Sequence, residues 1–290
     1  MSKIIVFGGS GFIGSHVADE LTRANHDVTI FDRNSSSYLK ENQKMILGDL
    51  NDVDLVTKAI EGKEVVYNFA SLSDLNDAME KPIEAIKNNI LGNCHILEGC
   101  KTNSIKRFIY ASSVYANSRE GGFYGLTKKS AESYVEEYQR HYDLDFTILR
   151  YGSLYGPSAN EFNSISSIIK SALSNKSIER SGDGEEIREY VFIDDAAEMT
   201  YETLSDDYKN KHVFISGNQQ IKVKDLLIMI NEILGGDIKV SYKEKDNKQL
   251  HYGITPYSYK ISSAKRIVPK NFTDLGDGLL QVIQKISLDK

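Results

Sequence analysis

The chain has 290 residues, 40% of them hydrophobic, enough to bury a sizeable core in one large domain or two lobes. Its formal net charge is −6 and its basic pairs, Lys106-Arg107 and Lys128-Lys129, are short, which argues against a nucleic acid partner. No apolar run approaches the ~20 residues that cross a bilayer, so no membrane association is expected and the reading is cytoplasmic.

The first element is an apolar strand, Ile4-Ile5-Val6-Phe7, which leads directly into Gly8-Gly9-Ser10-Gly11-Phe12-Ile13-Gly14 and a helix to about residue 24. That continuity marks it as a core strand and not a signal peptide. A helix start offers unpaired N–H groups and positive dipole density, and glycines let phosphates approach the backbone. Gly8, Gly11 and Gly14, with Phe12 and Ile13 between them, are therefore expected to cradle the pyrophosphate of a dinucleotide. A second strand, 28–31, ends on Asp32, 18 positions after Gly14, where a carboxylate meets the adenosine ribose hydroxyls. This acid points to NAD. Arg33 beside it offers a cation to a 2′-phosphate and leaves NADP open.

Strands at 44–47, 64–69, 107–111 and 146–150 then alternate with helices at 52–61, 82–102 and 124–141. This is the rhythm of βαβ units. It predicts an α/β fold, a doubly wound parallel sheet of the Rossmann type with a smaller C-terminal α/β substrate-binding lobe. Near Gly156-Pro157 the rhythm breaks. A helix at 162–174, a turn at 181–184 and a strand at 188–193 follow. A helix from Asp194 and a strand at 212–215 return to the sheet, and 243–249 reads as a surface loop. The expected division is a nucleotide-binding domain of residues 1–156 plus about 190–216, and a lobe of residues 157–189 and 217–290. Cys94 and Cys100 stand six apart on a helix and face different ways. Even with His95 between them they read as packing thiols in a reducing cytosol, and no metal is expected. Tyr134, Tyr138 and Tyr142, at helical spacing, read as core or dimer surface.

Tyr124 and Lys128 lie four apart on one helix face, after a strand that ends in Ser112-Ser113. A lysine ammonium beside a phenol is expected to pull the tyrosine down from about 10 towards working pH. A serine hydroxyl can hold the substrate oxygen, and the lysine can also reach the nicotinamide ribose. With the cradle upstream, this is an apparatus for hydride transfer at a carbinol. Among 17 tyrosines such a pair arises by chance, so its weight lies in its position. The residues alone leave open which of the two serines is catalytic.

With these features the chain resembles the extended short-chain dehydrogenase/reductase family, in its branch of nucleotide-sugar epimerases, dehydratases and reductases. The resemblance covers essentially the whole length and implies further roles. Matching Phe108-Ile109-Tyr110 to the family strand puts the catalytic role on Ser113, with Tyr124 and Lys128, and leaves Ser112 among the cofactor contacts. Asp49-Leu50, after Gly48, resembles the acid-bearing segment that meets the adenine. Asn68-Phe69-Ala70-Ser71 resembles the segment packed on the cofactor, which assigns Ala70 and Ser71 to the cofactor and Ser73 to the substrate. Asn89-Ile90-Leu91-Gly92 is similar to a helix motif behind that site, with Asn89 the cofactor residue. Leu149-Arg150-Tyr151-Gly152-Ser153-Leu154-Tyr155-Gly156-Pro157 matches the segment beside the nicotinamide and the sugar diphosphate. It places Tyr151 on the cofactor and Ser153 on the substrate. Residues 182–184 and 188–195 match a later segment whose arginine, here Arg188, contacts the nucleotide.

There are departures. The interval from Ser113 to Tyr124 is short, and Ser153 replaces the branch's asparagine. Ser113 is followed by Val114-Tyr115 where dehydratases carry an acidic pair, and no cysteine lies near it. The resemblance thus implies an NAD-dependent C4 epimerase of a nucleotide-diphospho-hexose, working through a 4-keto sugar. An NAD(P)H-dependent ketosugar reductase and a non-catalytic dinucleotide sensor are the alternatives. It also implies a homodimer through helices 82–102 and 124–141.

Overall fold

The apolar run at the N-terminus becomes β1 (Lys3–Phe7), and the two-residue period of a strand divides its side chains between two cores. Ile4 and Val6 enter one, Ile5 and Phe7 the other. A strand buried on both faces reads as an unbroken apolar run, which is why the sequence shows no alternation here. The computed structural model describes residues 1–118, 120–160, 163–244, 265–267 and 273–288.

The first half continues with α1 (Phe12–Arg23), β2 (Asp27–Asp32), β3 (Lys44–Leu47), α2 (Val53–Ile60), β4 (Val65–Asn68), α3 (Leu75–Glu80) and α4 (Pro82–Ile86). It closes with α5 (Gly92–Thr102), β5 (Arg107–Ser113), α6 (Gly122–Tyr142) and β6 (Phe146–Tyr151). Next come β7 (Ser153–Tyr155), α7 (Ser164–Asn175), β8 (Ser177–Ser181), β9 (Ile187–Phe192), α8 (Ile193–Glu202) and β10 (Lys211–Ile215). The last elements are β11 (Gln220–Lys222), α9 (Val223–Ile233), β12 (Lys239–Lys243), β13 (Lys265–Ile267) and α10 (Leu275–Leu288).

Eight strands pair in parallel in the order β13-β10-β6-β5-β4-β1-β2-β3. The order reverses between β1 and β4, which leaves a crevice at the carboxyl ends of these strands. Val17 and Leu21 of α1 and Ala196 and Met199 of α8 fill one face of the sheet. Val56 and Ile60 of α2, Ile96 and Leu97 of α5 and Val135 of α6 fill the other. The sheet is therefore doubly wound, as expected. A third core gathers Ile165 and Ile169 of α7, Leu226 and Leu227 of α9 and Leu279 of α10 around Tyr155 and Tyr190. Two small sheets, β11-β9-β7 and β12-β8, belong to this part.

Several expectations change. The helix at 82–102 is α4, a π turn at Lys87–Leu91 and α5 in series, and α3 precedes it because Asp74 Oδ1 accepts from the Asn76 and Asp77 amides. The helix expected at 162–174 runs Ser164–Asn175, since Asn163 caps it by accepting from Ser166; Phe162 lies outside the described residues. α8 starts one residue early, at Ile193, and β9 ends at Phe192. Lys243 ends a strand paired with β8 instead of starting a loop, and 245–249 lie outside the described residues. Cys100 is buried in the second core, where burial pushes its thiol up, and Cys94 is half-buried. Among the described residues no helix is long and apolar enough to cross a membrane.

Gly14 locks α1 to the end of β1. A Cβ there would stand 2.2 Å from the Gly8 carbonyl oxygen. Gly14→Ala is expected to cost about 1–3 kcal/mol by forcing helix and turn apart. Urea denaturation measures it, and a midpoint equal to that of the unmutated chain would refute this packing.

Candidate active site

The crevice holds a cavity of about 440 Å³. At its centre the glycine turn delivers the start of α1. Gly8 has φ +75° and donates its N–H to Phe31 O at 2.9 Å, and a Cβ on it would lie 2.5 Å from the Ala70 nitrogen. The N-cap of α1 is Gly11, which brings no side-chain cap, so the first-turn N–H groups of Phe12, Ile13 and Gly14 are left for a ligand. A Cβ on Gly11 would meet only Gly8 O, at 3.3 Å, and otherwise open space. These four residues and Gly8 line the cavity.

Asp32 lines the same wall at the end of β2. Its Oδ2 accepts from the Ser10 amide at 3.1 Å and its Oδ1 from the Asn34 amide at 3.0 Å. Ser10 Oγ donates to Asn34 O, so the two loops that frame the carboxylate are clipped together. Arg33, Asp49 and Leu50 flank this end. The Asn51 amide donates to Asp49 at 2.8 Å and, with the Asn51 side chain and Arg33, holds its carboxyl below the usual range. A pyrophosphate cradle and a ribose-facing carboxylate in one cavity fit a dinucleotide cofactor.

Ser112, Ser113, Tyr124 and Lys128 line the other end. The Ser113 hydroxyl accepts from the Tyr115 amide at 3.3 Å and acts on the Tyr124 phenol, whose pKa it lowers. Ser112 turns to the opposite side of β5, where its hydroxyl donates to Glu132 Oε1 at 2.5 Å. Strand alternation thus separates the two serines, and only Ser113 faces the tyrosine. Lys128 Nζ donates to Ala111 O at 2.7 Å and lies 5.1 Å and 5.8 Å from the ring centroids of Tyr110 and Tyr124. The electrostatics reverse one expectation. Burial pushes Tyr124 up to about 12, against the lowering by Ser113, and pushes Lys128 down to about 7, against Glu132. Desolvation dominates both groups, and the expected lowering of the phenol by the lysine is not seen.

Ala70, Ser71, Ser73 and Tyr151 also line the cavity. The Tyr151 hydroxyl is committed to Thr200 Oγ1 at 2.6 Å, so its ring is what faces a ligand. Three expected residues are elsewhere. Asn89 is buried behind the wall, where it accepts from Leu72 N at 2.7 Å and donates to Leu72 O and to Thr127 Oγ1. The π turn exchanges it for Asn88, which lines the cavity. Ser153 and Arg188 sit on β7 and β9, off the cavity. Ser10, Asn34, Leu72 and Asn160 line it without having been singled out from sequence. For Ser10 the signal was available, since it stands inside the glycine turn.

A doubly wound fold with a dinucleotide cradle and a Ser–Tyr–Lys group at one crevice defines a nicotinamide-dependent enzyme of carbinol chemistry. Residues 4–216 match the NAD dependent epimerase/dehydratase family, and the chain belongs to it. A Methanocaldococcus jannaschii protein provisionally named a UDP-glucose 4-epimerase is 30% identical over 301 residues, covering 97% of each chain. Among solved structures, UDP-N-acetylglucosamine 4-epimerase of Methanobrevibacter ruminantium, in complex with UDP-N-acetylmuramic acid, is similar at TM-score 0.87 and 25% identity, covering 100% of this chain and 99% of that one. UDP-glucuronic acid 4-epimerase of Bacillus cereus, solved with UDP-glucuronic acid and NAD, shares the fold at TM-score 0.86 and 23% identity, covering 99% of this chain and 100% of that one. The cofactor is NAD, and the cradle and Asp32 suit it.

Folded Lys128 loses its proton near pH 7 instead of at its ordinary 10.5. Between these limits the unfolded chain binds more protons, so stability rises with pH across that window. Lys128→Met is expected to stabilise the protein most below about pH 7, with the gain fading to nothing above about pH 10.5. Urea melts at several pH values check this, and a variant no more stable than the parent in mild acid would refute the buried ammonium.

Proposed function

We propose that this chain is an NAD-dependent nucleotide-sugar epimerase that inverts C4 of a UDP-hexose through a 4-keto sugar. The observation that carries it is that Ser113, Tyr124 and Lys128 line one end of the same cavity whose other end holds the glycine cradle and Asp32. The names of the relatives support the reaction and the nucleotide.

Gly8, Gly11, Phe12, Ile13 and Gly14 would hold the cofactor's phosphates and Asp32 its adenosine ribose, with Asp49 and Leu50 at the adenine. Bound NAD supplies a hydride acceptor that later returns the hydride, and a positive charge beside the phenol. Ser113 holds the C4 oxygen by hydrogen bond. Tyr124, a neutral phenol before binding, would release its proton to solvent beside the two cations, take up the C4 hydroxyl proton as a phenolate and give it back at the end. Lys128 hydrogen-bonds the nicotinamide ribose and steadies that phenolate. Ser73, which lines the cavity, is the substrate contact this reading keeps there. Ser153 and Arg188 lie off the cavity on β7 and β9 and would reach a substrate only where it extends past that lining, Arg188 towards the nucleotide. The carboxylates lining the cavity among the described residues are Asp32 and Asp49, both at the adenosine end. Among the described residues no acid lines the cavity at Ser113 to expel water across C5–C6, and this reading therefore favours epimerisation over dehydration. The two-lobe division, residues 1–156 with about 190–216 against 157–189 with 217–290, belongs to the same reading and is supported by the third core.

Purified enzyme given a UDP-hexose is expected to interconvert C4 epimers without added cofactor and to retain deuterium placed at C4. Tyr124→Phe is expected to lose roughly 10²–10⁴-fold in turnover while keeping bound NAD. Product that forms only with stoichiometric NADPH would overturn the epimerase in favour of a reductase.

The reading includes a cytoplasmic homodimer. Ile83 is 64% exposed and Leu126 61%, and Ile86, Leu91 and Tyr134 are exposed on the same neighbouring helices. Two copies would cover these side chains in a four-helix contact. Light scattering is expected to give twice the chain mass at micromolar concentration, and a single chain mass would refute it.

A further inference from the structure

Behind the reaction centre, three charged side chains are buried together. Lys128 is 2% exposed, Glu132 one turn later on α6 is 4%, and Arg150 on β6 is 7%. The Arg150 Nε donates to Glu132 Oε1 at 2.9 Å and its Nη2 to Oε2 at 2.7 Å, a bidentate pair. Ser112 Oγ donates to the same Oε1. From β10, His212 Nδ1 stands 3.9 Å from Glu132 Oε2, while its Nε2 meets the half-exposed Glu136 at 2.7 Å. Lys128 in turn faces Tyr110 and the Ala111 carbonyl of β5, and Tyr124 of its own helix. A buried ion pair with a hydrophobic alternative of similar size is a poor source of stability. Its place here calls for another explanation.

We propose that Glu132 is a positioning residue of the reaction centre: held by Arg150 and Ser112, its carboxylate fixes the strand end that carries Ser113 and keeps Lys128 an ammonium. The first half rests on hydrogen bonds, and the second on Lys128 and Glu132 standing one turn apart on α6, both buried. Ser112 is tied back to α6 by Glu132, and this turns the next residue, Ser113, into the cavity. Ala111, one residue earlier, accepts from Lys128, so a single stretch of β5 is pinned to α6 at two points. Arg150 fastens the neighbouring strand to the same carboxylate. Glu132 is also the charge that opposes the burial of Lys128. Glu132 does not itself line the cavity and acts through Ser112 and Lys128, which do.

The test is direct titration of Lys128 by NMR of ¹³C-labelled lysine side chains, in the parent and in Glu132→Gln. The midpoint is expected to fall by about one pH unit in the variant, and an unchanged midpoint would overturn the proposal. Glu132→Gln takes the carboxylate from Arg150, so Glu132→Gln/Arg150→Gln, which removes that buried guanidinium as well, keeps the test usable where the single variant does not fold. Its midpoint is also expected below the parent's. The kinetic arm rests on the epimerase reading. In Glu132→Gln, kcat is expected to fall about tenfold with KM within about twofold, and the alkaline limb of kcat/KM to move to lower pH. Glu132→Asp, which keeps the charge but shortens the reach to Ser112, is expected to lose kcat with the limb in place. A limb that stays put in Glu132→Gln would mark a merely structural role. A parent protein inactive on every UDP-hexose would sink the epimerase reading, while the Lys128 titration would still decide the role of Glu132.

Discussion

The site depends on one constraint: three stretches of backbone meet at the end of β1 with no side chain between them. Gly8 packs on Ala70, and Gly14 packs on Gly8. Close contact brings the first turn of α1 to the crevice where the strand order reverses. The same contact sets the Phe69–Ala70 segment after β4 against the turn, so the cradle and the cavity floor are positioned by one junction. Any side chain at Gly8 or Gly14 would separate helix, turn and floor together. The cavity is thus a product of the packing of main chain, and its side chains are attached to a frame already set.

The end of the cavity lined by Ser113, Tyr124 and Lys128 is built on different physics. Its groups are polar and buried, and burial works against each charged form. Lys128 retains its place through the Ala111 carbonyl and two aromatic rings, and Glu132 through Arg150 and Ser112. Asn89 does a similar task on the opposite wall, joining Leu72 to Thr127 and through it to the Tyr124 carbonyl. The start of α6 is therefore fixed from two sides by hydrogen bonds that do not use the Tyr124 hydroxyl. Such networks restrict geometry more than they add stability, and a proton-transfer site requires restriction.

Much of this was legible in the chain. The glycine turn, Asp32 and the doubly buried strands obey local rules: a backbone that requires no Cβ, a strand-end acid, and an apolar run without alternation. That the Ser112-Ser113 strand end meets Tyr124 and Lys128 was readable from order along the chain, since strand end and helix start are adjacent in any βαβ unit; which serine faces the tyrosine was not. What escaped were properties of three dimensions. Glu132 and Arg150 are 18 residues apart and each looks like an ordinary solvated charge until the helix lies on the strand. The π turn changed which of Asn88 and Asn89 faces the cavity, and helical periodicity carries no sign of such a register change. Short strands such as β7 and β11, of three residues each, are too brief for a pattern. The direction of the Tyr124 shift depended on how much solvent the closed crevice removes, and no spacing in a sequence reports that.

The order of the strands also bears on how the protein is made. The face of the sheet that α1 covers is completed by Ala196, Ala197 and Met199 of α8, by Val213 and Ile215 of β10, and beyond them by pairing of β13 at Lys265–Ile267. A nascent chain emerging from the ribosome has β1 to β6 and the helices of the second face well before these residues exist. During that interval Leu149 and Tyr151 present apolar surface with nothing to lie on it. The last latch is later still: Asp195 accepts from the backbone and hydroxyl of Thr273, 78 residues on, just ahead of α10. Synthesis of the C-terminal tenth thus governs when the N-terminal sheet is sealed. Truncations near the end of the chain will behave as folding defects of its beginning.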